Sequence, residues 1–176
     1  MNGFTDKKHV KNETQHNIPV VLDGNVMSSG IRLIALWDTK ADASYDVKWP
    51  RDKHLPLNPH STIALYTRYG SGVVSLSNGE VIALPEASVI FINPLLIEGY
   101  RCVGEIWDLF LLEFVPNGFW DLPYNQLINL PDDVDVSQQL ERASRLFSSQ
   151  NAGQEPLAVS IITTVLYEWL SQVKRV

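Results

Sequence analysis

The sequence predicts a mainly β fold, a small antiparallel barrel or sandwich followed by two α-helices. Three observations carry that reading. From Tyr66 to Phe114, short β-rich runs alternate with turn residues at nearly even spacing: Gly70-Ser71-Gly72, Asn78-Gly79, Leu84-Pro85, Asn93-Pro94 and Gly99. The intervals between runs leave little room for the crossover helices that parallel strands require. After Pro116 the apolar period lengthens from two residues to between three and four, the period of a helix.

Taken in order, Met1 to Asn17 offers little apolar surface beyond Phe4 and Val10 and reads as a mobile arm. Ile18–Leu22 and Gly30–Trp37 are expected strands separated by the turn signal Asp23-Gly24-Asn25. Tyr45–Trp49 alternates apolar and polar residues and is stopped by Pro50. Arg51 to His60 is rich in charge and proline, so it is loop or edge, where binding groups tend to sit. Thr62–Tyr69, Val73–Leu76, Val81–Leu84, Ser88–Ile92, Ile97–Val103 and Ile106–Val115 complete about nine strands. Gly70-Ser71-Gly72 invites a bulge, and Asn78-Gly79 a tight hairpin.

Two helices follow. Val136, Leu140, Ala143 and Phe147 form one apolar face, with Asp135 and Gln138 as a capping box and Glu141–Arg145 as an i,i+4 ion pair. The second begins at Glu155-Pro156 and runs to Lys174-Arg175. It carries two stripes, Val159, Ile162, Leu166, Trp169 and Val173 on one and Ala158, Ile161 and Val165 on the other. One stripe can cover the sheet and the other can meet a second copy of the chain; burial of both within one chain is the competing reading.

With 176 residues, 45% of them apolar and 19% charged, the chain can build one substantial core. No apolar run reaches the roughly 20 residues needed to span a bilayer, and the polar N-terminus lacks a secretory signal's apolar segment. A cytoplasmic, membrane-free protein is expected. The single cysteine, Cys102, permits no internal disulfide and no cysteine-based zinc site. A net charge of −6 gives this segment no electrostatic footprint for nucleic acid.

The chemistry-bearing residues are sparse. His54 and His60 stand six apart across two prolines, a spacing that suits neither helix nor strand metal sites. Ser71 lies between glycines but lacks the strand-turn-helix context of a nucleophile elbow and a downstream histidine. Aromatic residues are plentiful, and an aromatic lining with a few polar groups suits a small-ligand pocket. Strand parity places Arg68 with Tyr66; if that face is interior, the guanidinium needs a partner such as a ligand carboxylate or Glu98.

The order of Gly70-x-Gly72, Asn78-Gly79, Leu84-Pro85, Ile92-x-Pro94, Tyr100-Arg101, Trp107 and Phe114-x-Pro116, followed by two helices, resembles the N-terminal regulatory domain of AraC-type transcription regulators. The resemblance covers roughly Gly30 to Val176. It implies a cupin-like antiparallel β-barrel (jelly roll) followed by two α-helices, with a flexible arm at 1–17, an effector-binding barrel at 18–120 and a helical dimerisation segment at 121–176. It also implies paired helix-turn-helix motifs after Val176, so that the chain is a piece of a longer protein and meets DNA only through that further domain. The sequence departs from the family where Pro85 is followed by Glu86-Ala87, and where Glu98-Gly99-Tyr100 replaces the histidine that metal-dependent cupins carry. Leu109 and Leu111 fall where the arabinose-responsive member contacts its sugar, which disfavours a polyol.

The expected function is therefore a non-enzymatic sensor without cofactor or metal, a homodimer that binds a small-molecule effector. Candidate pocket residues are Trp37, Trp49, Tyr66, Arg68, Tyr100, Trp107, Leu109 and Leu111, and the candidate dimer interface is Val159, Ile162, Leu166, Trp169 and Val173. The alternatives are a stand-alone cupin enzyme holding a metal on His54, His60 and Glu98, and a dimerisation module with no pocket.

Overall fold

The computed structural model describes residues 30–53, 56–118, 120–132, 134–149, 151 and 153–173. Its strands are β1 (Gly30–Asp42), β2 (Asp46–Lys48), β3 (Thr62–Leu76), β4 (Val81–Leu84), β5 (Ser88–Ile92), β6 (Ile97–Asn117) and β7 (Ile128–Asn129), and its helices are α1 (Ser137–Ser148) and α2 (Glu155–Ser171). The expected arm and the expected strand at Ile18–Leu22 lie outside the described residues.

β3 and β6 form the spine. They pair antiparallel from Leu76↔Ile97 to Thr62↔Phe114, and each absorbs two of the expected strands. The bulge expected at Gly70-Ser71-Gly72 is present, with register shifts between Thr67 and Tyr69 and between Gly70 and Gly72, and the strand runs on through it rather than ending there. Gly70 takes φ +74°, and a Cβ there would run into the Ile106 carbonyl of the facing strand. The Asn78-Gly79 hairpin joins β3 to β4 as expected, with Gly79 at φ +86°.

The mainly β architecture with two helices stands, but the barrel does not. The order is β1-β6-β3-β5-β7, with β2 also on β6 and β4 also on β3, in one seven-stranded sheet. β1 and β7 sit at opposite ends of this path and do not pair, so the sheet is open. The cupin-like jelly roll is thereby corrected. Closure requires the two end strands to pair, and β7 spans only two residues, both on β5.

Both faces of the spine are buried, which is why β5 reads as an unbroken apolar run. Ala64, Tyr66, Val89, Phe91, Phe110, Leu112 and Phe114 lie beneath the helices and pack on Leu140, Ala143, Ala158, Ile162, Val165, Leu166 and Trp169. The alternate residues, among them Ile63, Leu65, Ile90, Ile92, Trp107, Leu109 and Leu111, build a second core on the opposite face. Trp120 pins the assembly at one end. It stacks on Tyr167 of α2 at 4.6 Å, and its Nε1 donates to the Gly30 carbonyl at 2.9 Å.

The helix starts differ in detail from the expected ones. Asp135 accepts from the Ser137 amide at 2.9 Å, while Val136 occupies the cap position, so the reciprocal box with Gln138 is not formed. That amide bond holds the Asp135 carboxyl below the usual carboxylate range. Glu141 turns away from Arg145 to meet a cation on β3. α2 has Pro156 in its first turn, and Lys174-Arg175 lie outside the described residues.

Candidate functional site

The second face carries an aromatic cluster. Trp49, just after β2, is fixed by its Nε1 donating to the Pro94 carbonyl at 2.9 Å. Tyr100 of β6 lies with its ring centroid 6.2 Å from Tyr45, 6.4 Å from Trp49 and 6.2 Å from Trp107. Trp107 is wholly buried and donates from Nε1 to Thr67 Oγ1 at 3.0 Å. Trp37 of β1 packs against this core and, like Tyr45, is half-buried, so these two rings form the rim and Trp49, Tyr100 and Trp107 the floor.

A cation lies across the rim. Lys53 ends the short 3-10 turn Arg51–Lys53, and its Nζ stands 4.8 Å from the Trp37 ring centroid and 5.5 Å from that of Tyr100. Burial lowers the Lys53 pKa from its ordinary value. Burial also raises the Tyr100 pKa far above the tyrosine range, with Tyr45 adding to the effect, so Tyr100 remains a neutral phenol. Its hydroxyl is buried and faces the Tyr45 side chain, without completing a full hydrogen bond among the described residues. Farther along the same face, Leu109 and Leu111 give way to Glu113, a buried carboxylate that accepts from Ser61 Oγ at 2.7 Å. Glu113 is six residues from Trp107, or roughly 20 Å along an extended strand, and so belongs to the far end of the face.

Of the expected pocket residues, Trp37, Trp49, Tyr100, Trp107, Leu109 and Leu111 come together on this face. Tyr66 and Arg68 do not. They share a face as parity required, but it is the one beneath the helices: Tyr66 packs on Trp169 with centroids 5.4 Å apart, and its hydroxyl lies 3.3 Å from Ser137 Oγ. Arg68 is satisfied by the protein, with Asp108 at 2.6 Å, Glu141 of α1 at 2.9 Å and Asp38 of β1 at 3.4 Å, and it lies over the Phe110 ring. Burial opposes its charge, but the surrounding carboxylates outweigh burial and raise its pKa.

That junction yields a test. Arg68→Ala leaves Asp108, only 15% exposed, beside two further carboxylates without their cation. We expect a loss of about 1–3 kcal/mol by urea denaturation, partly recovered by added salt. Arg68→Lys should recover only part, since an ammonium cannot fork to Asp108 and Glu141 as the guanidinium does.

In the proposed dimer stripe, Ile162, Leu166 and Trp169 are fully buried within the single chain against the sheet, leaving only the half-buried Val159 and Val173 partly accessible. His60 and Glu98 are exposed, and His54 lies outside the described residues. Among the described residues no group of histidine, cysteine, aspartate and glutamate is arranged to hold a metal ion. No helix among them is long and apolar enough to cross a membrane. Sequence reasoning missed Lys53, Tyr45 and Glu113 as site residues. The charged loop from Arg51 to His60 was the available signal for Lys53; nothing marked Glu113.

Fold and site together define a class: a β domain covered by helices on one sheet face, whose other face gathers aromatic rings and one lysine. By sequence, the chain is 41% identical over 170 residues to the uncharacterized HTH-type transcriptional regulator YidL of Escherichia coli (strain K12), a match that takes in 97% of this chain and 57% of that protein. The chain thus spans little more than half the length of the relative it matches. No protein-family model matches the sequence. Among solved structures, YhaK from Escherichia coli superposes with a TM-score of 0.45 at 11% identity, covering 65% of this chain and 49% of that one. Apo ToxT from Vibrio cholerae gives a TM-score of 0.37 at 10% identity, over 80% of this chain and 55% of that one. A cupin protein from Bacteroides fragilis gives 0.36 at 14% identity, over 61% and 91%. These superpositions are partial and decide neither fold family nor function.

Proposed function

We propose that this chain is the regulatory part of an HTH-type transcription regulator of the AraC kind, and that it binds a small effector on the aromatic face of its sheet. The observation that carries the reading is the 41% identity to YidL over nearly the whole chain. The aromatic face supports it with a partly open rim over a buried floor, the usual make-up of a small-molecule site. The acidic charge of −6 agrees with DNA contact being made by other parts of such a regulator, acting in the cytoplasm. No catalytic step is assigned to the chain.

A route from site to helix is also present. Trp107 holds Thr67 on one face, while their sequence neighbours Asp108 and Arg68 pair on the other and reach Glu141 of α1. An effector that moves Trp107 would bias α1 through this pair of adjacent positions. Self-association, also part of this reading, is left to the outer side of β1 and α2, where Leu33, Leu36, Phe147 and Val159 line a groove of about 400 Å³. We expect a dimer by sedimentation velocity, reduced to monomer by Val159→Arg; a wild-type monomer would remove that element.

The effector claim is tested by a thermal-shift screen across sugars, organic acids and aromatic metabolites. A ligand at a hundredfold excess over its Kd stabilises by about 2.7 kcal/mol, which for a chain of this size raises Tm by about 5–10 °C. The shift should vanish in Trp37→Ala. Silence across a broad panel would sink the sensor reading.

A further inference from the structure

The cations around the rim are not equivalent. Lys48 pairs with Asp46 at 3.0 Å and Arg51 with Asp52 at 3.1 Å. Lys53, next in the chain, pairs with no carboxylate among the described residues although it is half-buried, and its ammonium rests on two rings instead. One of those rings, Tyr100, carries a buried hydroxyl that faces the Tyr45 side chain but makes no full hydrogen bond among the described residues. A cation without a carboxylate partner and a phenol whose polar neighbour is only another phenol are two groups that suit a carboxylate, and the rings offer a face for a planar body. In a chain with a net charge of −6 this is no general basic patch.

We propose that the Trp37, Lys53 and Tyr100 corner binds a small aromatic carboxylate, its ring stacked on Trp37 and its oxygens taken by the Lys53 ammonium and the Tyr100 hydroxyl. The inference rests on the effector-binding reading above and names the ligand class. A cation–π contact is worth about 0.5–2 kcal/mol, while a charge-assisted hydrogen bond away from bulk water is stronger. Lys53, on its flexible stem, exchanges the first for the second when the ligand enters. The neutral Tyr100 phenol keeps the proton it must donate.

The test is calorimetric titration of the whole chain with benzoate, phenylacetate and the corresponding amides, with tryptophan fluorescence as a second readout. At least one acid should bind tenfold or more tightly than its amide. Lys53→Met should cut acid affinity at least tenfold and change amide affinity far less, while Tyr100→Phe weakens the acid severalfold; circular dichroism of both variants establishes that they are folded. Equal binding of acid and amide, or full affinity in Lys53→Met, overturns the proposal. If all four probes fail while a neutral or cationic compound from the broad screen binds in a Trp37-dependent way, the carboxylate class is wrong and the effector reading survives. Silence in both experiments ends both.

Discussion

Leu166→Asp combined with Trp169→Asp is expected to unfold the chain rather than release a folded monomer. Leu166 and Trp169 are wholly buried between α2 and the sheet, with Trp169 against Tyr66 and Phe91. Truncating a buried tryptophan to alanine alone costs about 3–5 kcal/mol. Two carboxylates without partners in that layer would exceed much of the roughly 5–15 kcal/mol that holds a domain together. Trp169→Phe is the informative control. The indole N–H is buried without an acceptor among the described residues, so phenylalanine removes an unmet donor along with some volume and should cost far less. Far-UV circular dichroism and urea titration separate the two variants. A folded, soluble double mutant would mean that α2 does not pack on the sheet.

Gly72→Ala should also be damaging, although it adds one methyl group. A Cβ at Gly72 would overlap Cδ2, Cε2 and Cε3 of the Trp107 indole on the neighbouring strand. Trp107 is fully buried, tied to Thr67 and flanked by Tyr45 and Tyr100, so it has nowhere to step aside. Overpacking of this kind costs about 1–3 kcal/mol. The expected result is a lowered urea midpoint together with a red-shifted tryptophan emission and weakened effector binding, because the displaced ring is part of the floor. Gly79→Ala meets no neighbouring atom and serves as the comparison. Its cost is confined to the positive φ of the turn.

Local chemistry was legible in the sequence wherever it is decided by near neighbours. The turn at Asn78-Gly79, the end of β5 at Asn93-Pro94 and the start of α2 at Glu155-Pro156 lie where the residues pointed. Continuity across bulges was not legible, because Gly70 and Gly104 mark a break and a bulge with the same residue; only the facing strand decides between them. Openness of the sheet was hidden for a related reason. Evenly spaced strands are the same in a closed and an open sheet, and the difference lies in whether β1 and β7 meet. At the site, Tyr100 and Trp107 of β6 stand seven residues apart, which simple alternation would put on opposite faces; they share one because the register shifts between them. Arg68 was misplaced because alternation gives two faces without saying which is covered by helix. Lys53 escaped notice because loop position carries no periodicity.

The long antiparallel pairing of β3 with β6 also implies an order of assembly. Leu76 and Ile97 are 21 residues apart, whereas Thr62 and Phe114, at the other end of the same ladder, are 52 apart. Closing the shorter loop first saves about 0.8 kcal/mol of chain entropy, and each further pair then adds little new loop. The ladder therefore zips from its inner end outward. β1 is in a different position, since Asp42 pairs with Ile106 across 64 residues and Gly30 with Asn117 across 87. It can join only after β6 is in place, so the strand that brings Trp37 to the rim arrives late, and the floor of the site exists before its edge.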